Sequence, residues 1–124
     1  MAVQLGLRNR LAPAAFCVNH VPAMERQHRM HGAPGLEHRG LSYTVPTTVL
    51  PPLAPAGGSV VEMYVGVDPA QSLDAWDEAA AQGVLEQAVE RLARHHALDV
   101  AHRRVITPRD HESRMHLYRG ALYG

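Results

Sequence analysis

The sequence predicts an α+β fold, in which a mixed or antiparallel sheet of three to four strands is covered on one face by one long helix. Two patterns predict this class: short stretches in which apolar and polar residues alternate, and one long stretch in which apolar residues recur every three or four positions. The connecting segments are rich in proline and long for a chain of 124 residues. We therefore expect residues 1–124 to form a single, partial domain of a larger protein.

Four strands are predicted from this alternation and from the prolines that end it. The clearest is the strand in which Val61, Met63 and Val65 share one face, because side chains alternate across a sheet. Residues 1–15 show no clear period and are expected to be irregular, whereas residues 24–31 are compatible with a short polar helix. The predicted strands cover residues 16–21, 41–45, 60–67 and 103–107.

The long helix is predicted over residues 74–96, with Ser72 or Asp74 as the residue that caps its start. A second, shorter helix is expected over residues 110–118, with Asp110 capping the turn that precedes it. The apolar stripe of the long helix, which would face the sheet, consists of Trp76, Ala80, Val84, Ala88 and Leu92.

Charge and residue types exclude several classes of function. The 12 basic and 12 acidic residues balance, so the chain lacks the positive footprint of a nucleic-acid-binding protein. Every basic residue is arginine, which excludes a Schiff-base lysine and a P-loop lysine within this chain. The single cysteine, Cys17, excludes an internal disulfide and a thiolate zinc cluster, and its apolar neighbours predict a buried side chain.

The sequence also indicates where the chain works. Its longest apolar stretches fall short of the roughly 20 residues that span a bilayer. The apolar run at residues 11–18 is too short for a signal peptide and contains Pro13. We therefore expect no transmembrane segment and a cytoplasmic location.

Sequence patterns typical of a self-contained active site are absent. His28, His31 and His38 invite a metal interpretation, but a solvated polar loop explains them better, and we predict no metal site. The chain contains neither a GxSxG nucleophile elbow nor the GxGxxG turn of a Rossmann domain. Its adjacent carboxylates are more typical of helix caps than of catalytic pairs.

An ordered series of motifs resembles the phytoene desaturase-like FAD oxidoreductases. The series begins with Tyr43-Thr44-Val45-Pro46-Thr47-Thr48 and continues with Leu53-Ala54-Pro55-Ala56-Gly57-Gly58, which is similar to the family's "L-A-P-x-G" loop between two strands. A helix that opens with Trp76, a Thr107-Pro108-Arg109-Asp110 turn and the stretch Gly120-Ala121-Leu122-Tyr123-Gly124 follow in the family's order. The resemblance covers residues 14–124, and it departs from the family at Leu50-Pro51-Pro52, where the family has Asp-Pro-Ser.

The resemblance implies a larger, two-domain fold that binds FAD and oxidises a hydrophobic polyene-like substrate. This chain corresponds to part of the substrate domain and the approach to the C-terminal flavin segment. The parent is expected to be the enzyme and to hold FAD, whereas this chain alone is expected to be inactive. The partners so implied are the missing flavin domain or a second copy of the chain, and peripheral membrane contact stays open for the parent.

The resemblance also implies site residues. Gly120, Tyr123 and Gly124 match the segment that approaches the flavin, although a turn after the short helix explains Gly120 equally well. The candidate substrate-contacting residues lie on predicted strands, where core packing is the alternative explanation; they are His20, Tyr43, Val45 and Met63. An alternative function is a free-standing lipophilic-ligand-binding or dimerisation module without catalysis.

Overall fold

Five strands form one antiparallel sheet in the computed structural model, which describes residues 1–13, 15–20, 41–66 and 72–120. Two α-helices and four short 3-10 turns complete the described part of the chain. The strands are β1 (Ala2–Leu7), β2 (Cys17–His20), β3 (Leu41–Thr44), β4 (Ser59–Val65) and β5 (Val100–Ile106); the helices are α1 (Glu78–Ala93) and α2 (Pro108–Met115). The 3-10 turns cover Pro46–Thr48, Pro51–Leu53, Leu73–Ala75 and Tyr118–Gly120.

The spatial order of the strands is β2-β3-β4-β1-β5, and each neighbouring pair is antiparallel. The α+β class and the antiparallel sheet are thus confirmed. The sheet has one strand more than expected, because Ala2–Leu7 forms β1 between β4 and β5. The expectation that residues 1–15 are irregular is wrong for this segment, and the helix considered over residues 24–31 lies outside the described residues.

Alternation of side chains explains why β1 is a central strand. Val3, Leu5 and Leu7 are buried, whereas the residues between them are only half-buried. In the register with β4, Val3 lies opposite Met63 and Leu5 lies opposite Val61, so apolar side chains meet on the same face. Each such pair adds to the hydrophobic core on that face.

Helix α1 packs on this apolar face through Leu85, Ala88 and Leu92, which are all buried. The helix begins later than predicted because Asp77 is its N-cap: the Asp77 carboxylate accepts a hydrogen bond of 2.8 Å from the Ala80 backbone amide. Ser72 instead caps a separate 3-10 turn. The covering helix therefore has 16 residues and ends at Ala93.

The face of the sheet opposite to α1 is formed by half-buried and exposed side chains. A row of polar side chains crosses this face, with Thr44 on β3, Glu62 on β4, Gln4 on β1 and Arg104 on β5 at neighbouring register positions. The Gln4 amide donates a 3.1 Å hydrogen bond to the Glu62 carboxylate across the central pair. The sheet is therefore apolar on the helix side and largely polar on the other.

A proline-rich segment between β3 and β4 is tied to the sheet by two buried hydroxyl groups. The Thr47 hydroxyl accepts a hydrogen bond from the Val60 amide at 3.3 Å, and the Ser59 hydroxyl accepts one from the Leu11 amide at 2.8 Å. Both side chains are fully buried, so these amides have their acceptors in a place that water does not reach.

We expect Thr47→Val to destabilise the fold by about 1–3 kcal/mol, because it leaves the Val60 amide without its acceptor in a buried site. Urea unfolding of the purified chain measures this change. The neighbouring Thr48→Val is the matched control. The exposed Thr48 hydroxyl donates to the Val45 carbonyl at 2.8 Å, but that carbonyl keeps the Thr48 amide as a donor, so the substitution should cost only about 0.5 kcal/mol. Equal effects of the two substitutions would contradict this account of Thr47.

Candidate functional site

A pocket of about 450 Å³ lies where β1 ends and β4 begins. Its strand residues include Gly6, Val60 and His102, which occupy neighbouring register positions on β1, β4 and β5. Because Leu5 and Leu7 are buried in the core, the intervening Gly6 lies on the sheet face opposite to α1. The pocket therefore lies at one end of the face opposite to α1.

Residues 53–56 of the proline-rich segment form another side of the pocket. They are Leu53, Ala54, Pro55 and Ala56, so this side is entirely apolar. The position of the segment is fixed by close contact at Gly58, where a Cβ atom would lie 2.8 Å from the carbonyl oxygen of Leu7. The Gly58 amide also donates to the Pro55 carbonyl at 2.9 Å. These contacts hold the apolar segment against the end of β1.

Arg8 and His102 contribute the ionisable side chains of the pocket. The Arg8 guanidinium donates to the Asp99 carboxylate at 2.9 Å and to the Val100 carbonyl at 3.5 Å. Its backbone amide donates to the Asp99 carbonyl at 2.8 Å, which joins the end of β1 to the segment before β5. The arginine is therefore positioned beside the pocket by its main chain as well as by its side chain.

Gly6 leaves space in the floor of the pocket. A Cβ atom built on Gly6 would lie 3.4 Å from the Cβ of His102, an ordinary contact distance. The register of β1 with β5 also shifts between Gly6 and Leu7, as at a β-bulge. Sequence analysis missed this site, although a glycine inside an alternating segment was the signal that could have located it.

Large apolar side chains are exposed beside the pocket. Val49, Leu50 and Leu53 are each more than half exposed, and they lie in or next to the turns of the proline-rich segment. Residues 40–61 contain no charged side chain. The proline-rich segment itself therefore contributes an apolar surface without charged side chains.

The predicted substrate-contacting residues do not lie at this pocket. Tyr43, Val45 and Met63 are buried in the hydrophobic core. The alternative given for them, core packing, describes these positions. His20 ends β2 and pairs with Leu41, and its side chain is outside what the structure describes. A substrate role for these four residues stays a prediction.

Tyr43 makes a polar contact that sequence analysis did not foresee. Its hydroxyl lies 2.7 Å from Nε2 of His96, just after α1, and the two rings meet edge to face with centroids 5.6 Å apart. Burial raises the pKa of Tyr43. Burial also lowers the pKa of His96, and the positive charge of neighbouring His95 lowers it further. The pair thus links β3 to the segment just after α1.

Gly120 is the one predicted flavin-contacting residue within the described part of the chain, since Tyr123 and Gly124 lie outside it. Its φ of 71° is in the left-handed region, and a Cβ atom there would lie 2.6 Å from Cα of Pro108. The final turn therefore packs its backbone directly on the start of α2. This packing requires glycine at position 120, and a cofactor contact there stays a prediction.

The Thr107–Asp110 turn is a capping box. The Thr107 hydroxyl accepts from the Asp110 amide at 3.1 Å, while the Asp110 carboxylate accepts from the Thr107 amide at 2.9 Å and from its hydroxyl at 2.8 Å. The backbone hydrogen bond from Thr107 is the main cause that lowers the pKa of Asp110. Thr107 is therefore the N-cap and Asp110 is the third residue of the helix, where its carboxylate caps the Thr107 amide. The helix covers Pro108–Met115 rather than the predicted residues 110–118.

Cys17 differs from expectation. It is exposed, because its register position opposite Thr44 puts it on the face away from α1, while Val18 takes the inner face.

The described ranges contain no group of three or more His, Cys, Asp or Glu side chains that could hold a metal ion. They also contain no helix that is long and apolar enough to cross a membrane. His28, His31 and His38 lie outside those ranges.

Comparison with models of known protein families gives no match, and comparison with curated proteins gives no significant match.

We expect the free energy of unfolding to fall as the pH drops through and below about 6.5, because His96 has a lower pKa in the folded state than in the unfolded state. The unfolded chain then binds the extra proton, which favours unfolding. Urea unfolding between pH 5 and pH 8 measures this dependence, and His96→Gln should make it shallower. Tyr43→Phe keeps the ring that buries His96, so it should lower stability while leaving the pH dependence in place. An unchanged slope in His96→Gln would contradict the assignment.

Proposed function

We propose that this chain is the substrate-domain portion of a flavin-dependent oxidoreductase that resembles the phytoene desaturases and acts on a hydrophobic polyene-like substrate. The observation that carries the proposal is the position of residues 53–58, the segment similar to the family's "L-A-P-x-G" loop. This segment forms one side of an apolar pocket. The motif that suggests the family therefore lies at a place suited to an apolar ligand.

The size and lining of the pocket support a lipophilic ligand. Small-molecule sites commonly have volumes of roughly 300–1,000 Å³ and mostly apolar walls with a few polar groups. The pocket, at about 450 Å³, is within this range and takes one segment of a long hydrocarbon chain. Its role in the proposed enzyme is to hold and orient that segment while excluding water.

The described residues do not by themselves fit a flavin. Gly120 is the candidate flavin contact among them, but the space that its missing side chain leaves is filled by Pro108 rather than open to a ligand. In the proposed parent, FAD supplies the redox chemistry and is bound mainly by a domain that this chain does not contain. The proposal also includes a cytoplasmic parent whose flavin domain, or a second copy of the chain, is the partner.

One observation favours the alternative, a lipophilic-ligand-binding or dimerisation module: the side chains of Val49, Leu50 and Leu53 are exposed. They suit contact with a second apolar surface, such as that of a second copy of the chain.

The two functions predict different native masses. An immunoblot of source cells with an antibody to the α1 segment should give a band several times larger than 13.6 kDa, and that protein should release FAD on denaturation. A band at 13.6 kDa with none above it would instead support the binding module. A larger protein without flavin would contradict the oxidoreductase proposal.

We expect Gly6→Val to weaken binding of a lipophilic polyene to the purified chain by at least about tenfold, because the new side chain points into the pocket beside His102. Fluorescence titration with a conjugated tetraene ester measures the affinity.

Ala2→Val is the matched control for Gly6→Val. It adds bulk to the same strand on the same face, but outside the pocket. It should leave the affinity unchanged, and equal losses in both variants would place the ligand elsewhere.

A further inference from the structure

The polar side chains that line the pocket are mainly hydrogen-bond donors. Arg8 and His102 both offer N–H donors, whereas no carboxylate is among the described residues that line it. Ser59 also lines the pocket, but its hydroxyl oxygen already accepts the Leu11 amide. An otherwise apolar pocket therefore presents donors in excess over acceptors, which suits a ligand that carries an acceptor group at one position.

The geometry of Arg8 leaves it able to bind a further anion. Its contact with Asp99 is a single 2.9 Å hydrogen bond from Nη1, and the two side chains are 64% and 58% exposed. An ion pair so exposed to water contributes little stability, about 0–1 kcal/mol. A guanidinium carries five N–H donors in a planar fork, so the nitrogens other than Nη1 can take a second carboxylate.

The main chain keeps this arginine in place without the ion pair. The Arg8 amide donates to the Asp99 carbonyl, and the neighbouring Asn9 side chain donates to the Ala97 carbonyl at 2.8 Å and accepts from the Asp99 amide at 2.8 Å. The segment before β5 is therefore held to the end of β1 by backbone and amide contacts. The backbone of Arg8 thus has a fixed position at one end of the pocket, and the side chain that it carries is 64% exposed.

We propose that the pocket binds an elongated apolar carboxylic acid, with its hydrocarbon chain along residues 53–56 and Val60 and its carboxylate on the Arg8 guanidinium, assisted by the His102 imidazole. This inference rests on the pocket of the proposed function and specifies the ligand class: an apolar acid in place of a plain hydrocarbon. Hydrogen bonds between charged partners are stronger and shorter than neutral ones, so the carboxylate sets both the affinity and the direction of the bound chain.

The test compares a straight-chain conjugated tetraenoic acid with its methyl ester, using the rise in probe fluorescence on transfer from water to the pocket. The acid should bind the purified chain about tenfold more tightly than the ester, the effect of one partly exposed charge-assisted hydrogen bond. Arg8→Gln should remove this difference by weakening the acid about tenfold and leaving the ester unchanged. Equal affinity of acid and ester for the unsubstituted chain would overturn the inference.

Asp99→Asn is the matched variant for Arg8→Gln. It breaks the same ion pair but keeps the guanidinium, so the acid should bind at least as tightly as to the unsubstituted chain. Acid binding could be lost in Asp99→Asn as strongly as in Arg8→Gln. That result would show that the ion pair supports the structure of the pocket, and it would overturn the proposed contact between Arg8 and the ligand.

Gly6→Val separates this inference from the proposed function. It should weaken the binding of the acid and of the ester alike, because the new side chain fills the space that the hydrocarbon chain of either probe occupies. If neither probe binds and Gly6→Val changes nothing, the lipophilic pocket itself is wrong. If both probes bind equally and Gly6→Val weakens both, the pocket is right and only the carboxylate preference is overturned.

Discussion

The pairing of β1 with strands on both sides holds the sheet together. Its six residues join the meander of β2, β3 and β4 to β5, and Val3, Leu5 and Leu7 supply the centre of the apolar face. Because β4 and β5 are both antiparallel to β1, they run parallel to each other, and the chain must cross β1 to connect them. Helix α1 lies in that crossover, which accounts for its place over the apolar face. Without β1, β5 would lose the strand with which it pairs in the sheet.

Sequence patterns predicted the elements whose signals are local. Alternation located β3 and β4. The proline at position 108 marked the end of β5, although this strand begins at Val100 rather than at residue 103. Alternation missed β1, where Gly6 and the turn-like residues 8–10 obscured an alternation present at Val3, Leu5 and Leu7. The start of α1 was misplaced for a different reason: Ser72, Asp74 and Asp77 are all competent caps. Only the contact of Asp77 with the Ala80 amide shows which one begins the helix.

The site was less predictable because its parts are distant in sequence. Three separate segments, residues 6–8, 53–60 and 101–102, line the pocket, and the order of the strands is what brings them together. The ligand role predicted for Tyr43 and Met63 depends on the same kind of information and stays a prediction. Alternation indicates which side chains share a face, but not whether that face meets a helix or a ligand. The Tyr43–His96 contact likewise joins residues 53 positions apart, with no local signal for either partner.

Gly6, Gly58 and Gly120 lack a side chain for different structural reasons, and Gly6 lines the pocket. At Gly120 the positive φ and the contact with Pro108 require glycine, and at Gly58 the carbonyl of Leu7 leaves no room for a side chain. Gly6 has neither constraint: its φ is not positive, and a Cβ atom would meet His102 at an ordinary distance. Glycine inside a strand costs about 0.5–1 kcal/mol relative to alanine. A glycine inside a strand marks either a β-bulge or a place where another group approaches the backbone closely, and Gly6 has both the register shift and the pocket beside it.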